Sequence, residues 1–260
     1  AKHSLYERFG TIFNSISLIK PRIVALLIFV AGATSIIAYQ GVPPWNRLLP
    51  LLMAGGLASA GASLLNNYLD RDIDALMERT RGRPLPAGRI KQPSWALGAG
   101  LLLVLLSLPF SISLNFQVAL YTLLGAFFYV VVYTMWLKRR SWTNVVIGGF
   151  AGSCAVLAGW AAVNPEFNYL AFAIALLVFI WTPLHFWNFS LVYLSDYKRS
   201  GLPMLPISKG VTKTCWSILI TAVIVFIISL SPYLLGYAGL VFLLLALGLS
   251  SLLYGNILLL

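Results

Sequence analysis

Charge is what this sequence is short of. Of its 260 residues, 7 are Asp or Glu, 18 are Lys or Arg and 2 are His, so 10% are charged. A typical soluble domain carries roughly 25%. A globule of this size could not cover its surface with so few charges, which excludes a soluble enzyme. Disorder is excluded as well, because 60% of the residues are apolar. Cysteine is equally sparse. Cys154 and Cys215 stand far apart in apolar surroundings and read as two buried thiols, neither a disulfide nor a metal pair. No His/Cys grouping has zinc spacing. Residues 1–20 lack a continuous apolar core followed by a small-residue cleavage site, so no cleavable signal peptide is expected.

What the sequence has instead is long apolar runs. Eight stretches approach the ~20 residues a spanning helix needs: residues 23–39, 48–65, 95–112, 116–137, 145–163, 169–189, 216–235 and 239–260. They are continuously apolar rather than alternating, which argues against a β-barrel. The expected fold is all-α: a polytopic membrane helical bundle of about eight spans, with two cytoplasmic loops capping a central cavity.

The basic residues are distributed one-sidedly. Lys2, Arg8, Lys20 and Arg22 precede the first span, and Arg71, Arg79, Arg81, Arg83, Arg89 and Lys91 follow the second. Lys138, Arg139 and Arg140 follow the fourth, and Lys198, Arg199, Lys209 and Lys213 the sixth. Only Arg47, of the 18 Lys and Arg, falls on the other side. Retention of basic loops in the cytoplasm then orients the N-terminus and the even-numbered loops inward. The net charge of +11 is thereby accounted for without nucleic acid.

Two of these cytoplasmic loops are long, at residues 66–94 and 190–215, and between them hold Asp70, Asp72, Asp74, Glu78 and Asp196. Long loops in a compact domain are usually functional or disordered. Each carries an Asp followed at matching intervals by Pro and Gly: Asp74, Pro84 and Gly88, then Asp196, Pro206 and Gly210. This suggests one transmembrane domain with two related halves, about 20–140 and 141–260, each lending a loop to a shared site.

Asn66, Asp70 and Asp74 lie at i, i+4 and i+8, a spacing that stacks them on one helical face just beyond an apolar span. Two carboxylates so placed repel each other and call for a positive partner. Carboxylate and amide oxygens suit Mg²⁺, which is commonly held by one or two carboxylates together with substrate phosphates. The pattern reads as a metal–diphosphate site at the membrane surface. Arg79 and Arg83 nearby can chelate phosphate oxygens. Lys138 and Lys198 lie on the same side, although Lys138–Arg140 also serves as an orientation signal. Asp196 is available as a further carboxylate from the second loop. Asp72 lies off the common face and reads as solvated or paired in an internal salt bridge.

His185 is the other outlier. It sits near the cytoplasmic end of the sixth span, among Trp181, Phe186 and Trp187. An ionisable residue inside a span is costly and reads as functional. It could ligate a haem iron, orient an acceptor or take a proton; a hydrogen-bonded packing role is the plain alternative. The tryptophans and Phe186 fit an interfacial belt as well as a pocket. His3 reads as an ordinary terminal residue.

Asn66-x-x-x-Asp70-x-x-x-Asp74, followed by residues 77–88 (MERTRGRPLPAG), resembles the first signature of the UbiA superfamily of intramembrane prenyltransferases. Within it, the resemblance is strongest to the protohaem IX farnesyltransferase (haem O synthase) family. Residues 20–23 (KPRI), 136–140 (WLKRR), 183–187 (PLHFW) and 196–206 (DYKRSGLPMLP) support that assignment. Two departures stand out. The family usually has nine spans, against eight counted here. Relatives also carry charged residues just before the second Asp-Tyr, where this sequence has Tyr193, Leu194 and Ser195, which bears on Asp196 as a direct ligand.

The resemblance implies transfer of a farnesyl group from farnesyl diphosphate to a vinyl group of haem B, with water added, giving haem O. It implies Mg²⁺ on Asn66, Asp70, Asp74 and Asp196. Arg79, Arg83, Lys138, Lys198 and Tyr197 are implied substrate contacts, and His185 a positioner of the porphyrin. The setting would be a prokaryotic inner membrane, with product passed to haem A synthase or to terminal oxidase assembly. A related enzyme acting on an aromatic or quinone precursor or on a lipid alcohol remains the alternative, followed by a transporter.

Overall fold

A computed structural model describes residues 16–258 apart from Lys91. Lys2, His3, Arg8 and Lys91 lie outside the described residues, as do Leu259 and Leu260 of the last apolar run. Seven helices among the described residues are long and apolar enough to cross a membrane. They are α1 (Pro21–Tyr39), α2 (Trp45–Leu69), α4 (Ser94–Ile112), α5 (Phe116–Leu137), α6 (Asn144–Ala161), α7 (Tyr169–Val192) and α10 (Val211–Leu234). A further helix, α11, covers Leu240–Leu258. Three short helices are also present among the described residues: α3 (Arg71–Leu76), α8 (Leu194–Ser200) and α9 (Leu205–Ser208). No strand occurs among the described residues. The expected all-α membrane bundle is therefore what the chain forms.

The helix starts follow local chemistry. Pro21 stands in the first turn of α1, where its missing N–H costs nothing. The Asn115 side chain caps α5 by accepting from Val118 N, and that of Asn168 caps α7 by accepting from Leu170 N and Ala171 N. Pro50, Pro109 and Pro183 lie inside α2, α4 and α7. Membrane helices tolerate such breaks because neighbours re-satisfy the freed backbone groups.

Two spans form the middle of the bundle. Over an 18-residue apolar stretch of each span, buried residues make up 56% in α2 and in α6, against 17–33% in the other five. Small residues permit this. α2 lies hard against α4, where a Cβ on Gly61 would meet the Gly100 carbonyl at 2.6 Å and Val104 N at 2.9 Å. A Cβ on Gly159 of α6 would likewise run into the Ala31 carbonyl of α1. In a bilayer, where lipid tails are as apolar as side chains, such close backbone packing is a main source of helix association. The outward faces of α1, α4 and α10 expose Phe29, Leu102, Leu105 and Ile220, as contact with lipid requires.

Cys154 is buried, as expected, but Cys215 is exposed. The reading of both as buried thiols fails for Cys215 because its apolar neighbours in sequence belong to a helix whose outer face, with Val211, Trp216 and Ile220, is exposed among the described residues. Both thiols are free.

At one end of the bundle Asn67 of α2 donates to the Leu18 carbonyl, Lys138 at the end of α5 reaches Asp70, and Asp196 reaches the loop after α3. The ends of α2 and α7 that carry the long loops thus meet the end of α5 over one patch. At the other end Arg47 donates to the Val163 carbonyl and Asn115 to the Ala161 carbonyl.

Candidate active site

α2 continues past the expected 48–65 segment to Leu69, so Asn66 sits in its last turn. The chain breaks at Asp70 (φ −95°, ψ 1°) and resumes in α3. The register survives the break: Asp70 N donates to the Asn66 carbonyl at 2.9 Å, and Asp74 N to the Asp70 carbonyl at 2.8 Å. Asn66, Asp70 and Asp74 accordingly remain on one face, all buried. Asp72 is turned away and forms an exposed two-point pair with Arg139, at 2.8 and 2.7 Å. The Arg139 guanidinium holds its carboxyl below the usual range.

Asp70 and Asp74 each have their own cation. Lys138 Nζ lies 2.5 Å from Asp70 Oδ2, and Arg83 Nη1 lies 2.6 Å from Asp74 Oδ2. Asn66 bridges the cluster, donating through Nδ2 to Asp70 Oδ2 at 2.7 Å and to Thr134 Oγ1 at 2.9 Å. Lys20 Nζ donates to Asn66 Oδ1 at 2.5 Å and to the Tyr129 hydroxyl at 3.2 Å. Burial, with Arg83 and Lys138 close by, pushes the Lys20 ammonium down to about 7. Thr80 ties the loop after α3 to the cluster by donating to the Asp74 carbonyl at 2.9 Å.

Lys20, Tyr129, Thr134 and Thr80 are site residues that the spacing argument did not find. Lys20 had a signal, as one of two bases, with Arg22, at the mouth of the first span. Tyr129 and Thr134 had none, because they depend on a widened helical segment, Phe128–Leu137 in α5. There Thr134 Oγ1 donates to the Tyr129 carbonyl and Lys138 N to the Tyr133 carbonyl, each five residues back. Such π-turns recur at functional sites. Here the segment presents Tyr129, Thr134 and Lys138 to the acidic cluster.

Asp196 stands in α8, buried, with its carboxylate against the first loop. Oδ1 accepts from Glu78 N at 3.0 Å and Oδ2 from Arg79 N at 3.1 Å. These two backbone bonds hold the carboxyl below its ordinary range. Arg79, exposed on that loop, lies 4.8 Å from the Phe189 ring centroid and 5.4 Å from that of Tyr193. It also lies beside Tyr197, which is buried in a core shared with Ile73, Met77, Leu184 and Leu205. Lys198 and Arg199 are exposed.

His185 is exposed on α7 and stacks on Trp181, with ring centroids 5.0 Å apart and planes 9° apart. It meets Phe186 edge-on at 5.5 Å and Phe189 at 6.2 Å. Trp187 is buried in the core, so the aromatic set divides between Trp181 outside and Trp187 inside.

The donor set fits a divalent cation. Asp70 Oδ1 is buried and has no hydrogen-bond partner among the described residues, an orphaned carboxylate oxygen beside a second buried carboxylate. Among the described residues no three His, Cys, Asp or Glu side chains converge on a single point. Two carboxylates and an amide are the donors present, a set that relies on substrate phosphates to complete the shell, as Mg²⁺ commonly does.

Residues 25–259 match the model of the UbiA prenyltransferase family. A protein named protoheme IX farnesyltransferase from Symbiobacterium thermophilum is 42% identical over 86% of this chain and 75% of its own length. Another of that name, from Bartonella bacilliformis, is 35% identical over 98% of this chain and 80% of its own. Among solved structures, a UbiA homologue from Archaeoglobus fulgidus bound to DMAPP and Mg²⁺ superposes with a TM-score of 0.76. It is 18% identical, covering 95% of this chain and 86% of that one, a likeness of fold.

Proposed function

Because the chain belongs to the UbiA prenyltransferase family, we propose that it moves a farnesyl group from farnesyl diphosphate to a vinyl group of haem B. The observation that carries the site assignment is the buried Asn66–Asp70–Asp74 face, cation-paired at the end of an apolar bundle.

Asp70 and Asp74, with Asn66 oriented by Thr134 and Lys20, are the residues that would hold Mg²⁺. When bound, the ion neutralises diphosphate charge and so favours its departure. Arg83, Lys138 and Arg79 bring further positive charge to the same patch, and Lys198 lies on the adjoining helix. When a diphosphate arrives, Lys138 and Arg83 can turn from carboxylate to phosphate oxygens without leaving the cluster. The C–O bond to diphosphate then breaks, leaving an allylic cation whose hydrocarbon tail lies among the apolar spans. The terminal vinyl carbon of haem B attacks it, the new C–C bond forms, and water adds at the adjacent carbon with loss of a proton. The Arg79–Arg83 loop, lying over the departing group, would keep bulk water from the cation. His185, exposed and stacked on Trp181, would position the porphyrin through its iron.

The orientation that accompanies this reading has the N-terminus and both long loops in the cytoplasm of a prokaryotic inner membrane. It rests on the one-sided Lys and Arg distribution. The two halves would act as one domain, with product passed on to haem A synthase or oxidase assembly.

The test is mass analysis after incubating the purified protein, in nanodiscs, with haem B, farnesyl diphosphate and Mg²⁺. Haem that gains a hydroxylated farnesyl group supports the reading. Unmodified haem alongside a prenylated quinone precursor or lipid alcohol would replace the acceptor. No transfer to any acceptor would end the proposal.

A further inference from the structure

Asp196 is the one buried acid of the site that no cation side chain faces at ion-pair distance among the described residues. Its two oxygens instead receive two consecutive backbone N–H groups, those of Glu78 and Arg79. That is the geometry of an anion held by a turn of backbone donors, with the anion supplied by the opposite half of the chain.

The surroundings make the contact a joint rather than a decoration. Immediately before these residues, Met77 is buried in a core built chiefly from the second half: Val145, Leu184, Tyr197, Met204 and Leu205. Immediately after them, Thr80 is tied back to the Asp74 carbonyl. Residues 77–80 are therefore pinned at three places, with the Asp196 carboxylate in the middle. The Arg79 side chain leaves from the very peptide that Asp196 holds, which sets its guanidinium over Phe189 and Tyr193 and beside Tyr197.

We propose that Asp196 is a positioning residue, a latch that fixes the backbone of the first loop so that Arg79 is aimed at the diphosphate, and that it serves catalysis through Arg79 rather than as a direct metal ligand. This deepens the prenyl-diphosphate reading and rests on it. The sequence has the same leaning: Tyr193, Leu194 and Ser195 before Asp196 add no further carboxylate to the second loop.

An amide at this position can accept one N–H but turns its own N–H₂ toward the other, so Asp196→Asn should open the latch at little change in volume. The full chain in nanodiscs is compared with Asp196→Asn, Asp196→Glu, Arg79→Gln and Asp70→Asn. In the ion-free protein, amide exchange of peptides spanning residues 77–83 should quicken at least about tenfold in Asp196→Asn and stay unchanged in Arg79→Gln and Asp70→Asn. In turnover, Asp196→Asn and Arg79→Gln should each raise the KM for farnesyl diphosphate about tenfold, and the double variant should add little to either. The Mg²⁺ concentration for half-maximal rate should move less than about twofold in both, against a large shift in Asp70→Asn. Unchanged exchange in Asp196→Asn would overturn the latch. So would a Mg²⁺ shift as large as that of Asp70→Asn, or additive KM effects. If Asp196→Asn does not fold, Asp196→Glu takes its place under the same criteria. If the chain transfers no prenyl group at all, the exchange arm still decides the latch, while the prenyltransferase reading alone fails.

Discussion

At the scale of single residues, three acids within five positions, Asp70, Asp72 and Asp74, have unlike environments, and their consequences separate. Asp70 and Asp74 are buried and cation-paired. Replacing either by Ala leaves a partly buried Lys138 or Arg83 without its partner and removes a metal donor. Each variant is expected to lose at least about a hundredfold in turnover, roughly 3 kcal/mol at ~1.4 per tenfold, measured with farnesyl diphosphate, haem B and Mg²⁺. Asp72 is exposed, as is its partner Arg139, so that pair contributes at most about 1 kcal/mol. Asp72→Asn should leave turnover within about twofold. Its depressed folded pKa means that the small contribution is complete above the ordinary carboxylate range and is lost as pH falls through the lowered value. Thermal unfolding of wild type and Asp72→Asn in detergent should therefore converge in acid and differ slightly at neutral pH. A larger gap at neutral pH would mean that the pair is more than a surface contact.

Among the elements, the crossing of α2 and α4 and the widened segment of α5 do the placing. At Gly61 an added methyl would press on the Gly100 carbonyl and Val104 N, backbone atoms that cannot turn aside. Gly61→Ala should cost about 1–3 kcal/mol by overpacking, read as a lower Tm in detergent. Gly55, on the same helix, has open space at its Cβ, and Gly55→Ala should be neutral or slightly stabilising. In α5, Thr134 is the acceptor that orients the Asn66 amide. Thr134→Val keeps the shape and deletes that acceptor. Its expected signature is a raised Mg²⁺ requirement with little change in Tm, whereas Thr134→Ser should behave as wild type. Equal Mg²⁺ dependence in Val and Ser variants would show that Asn66 needs no such support.

Taken as a whole molecule, the described residues put nearly all their charge at one end of an apolar bundle, which suits a reaction between a water-soluble diphosphate head and a hydrocarbon tail. That asymmetry makes a topological prediction. Cysteines placed at Glu78 or Arg140, in a background lacking Cys154 and Cys215, should react with an impermeant maleimide in inverted vesicles but not in intact cells. A cysteine at Glu166 should do the reverse. Reaction of all three from the same side would contradict the inward-facing site.

Much of this was legible from sequence. The bundle was, because a bilayer demands long apolar helices and retention of basic loops sorts their ends; both properties are sums over many residues and survive any packing detail. The Asn66–Asp70–Asp74 face was, because the i, i+4, i+8 relation is set by the helix itself and the break at Asp70 preserves its register. What only the tertiary structure decided are relations between segments distant in the chain. These are the pairing of Asp70 with Lys138, the anchoring of Asn66 by Lys20 and Thr134, the outward placement of Cys215, and the grip of Asp196 on the first loop. Each depends on which face of one helix meets which face of another, and that choice is made by close packing at small residues rather than by any periodicity written along a single segment.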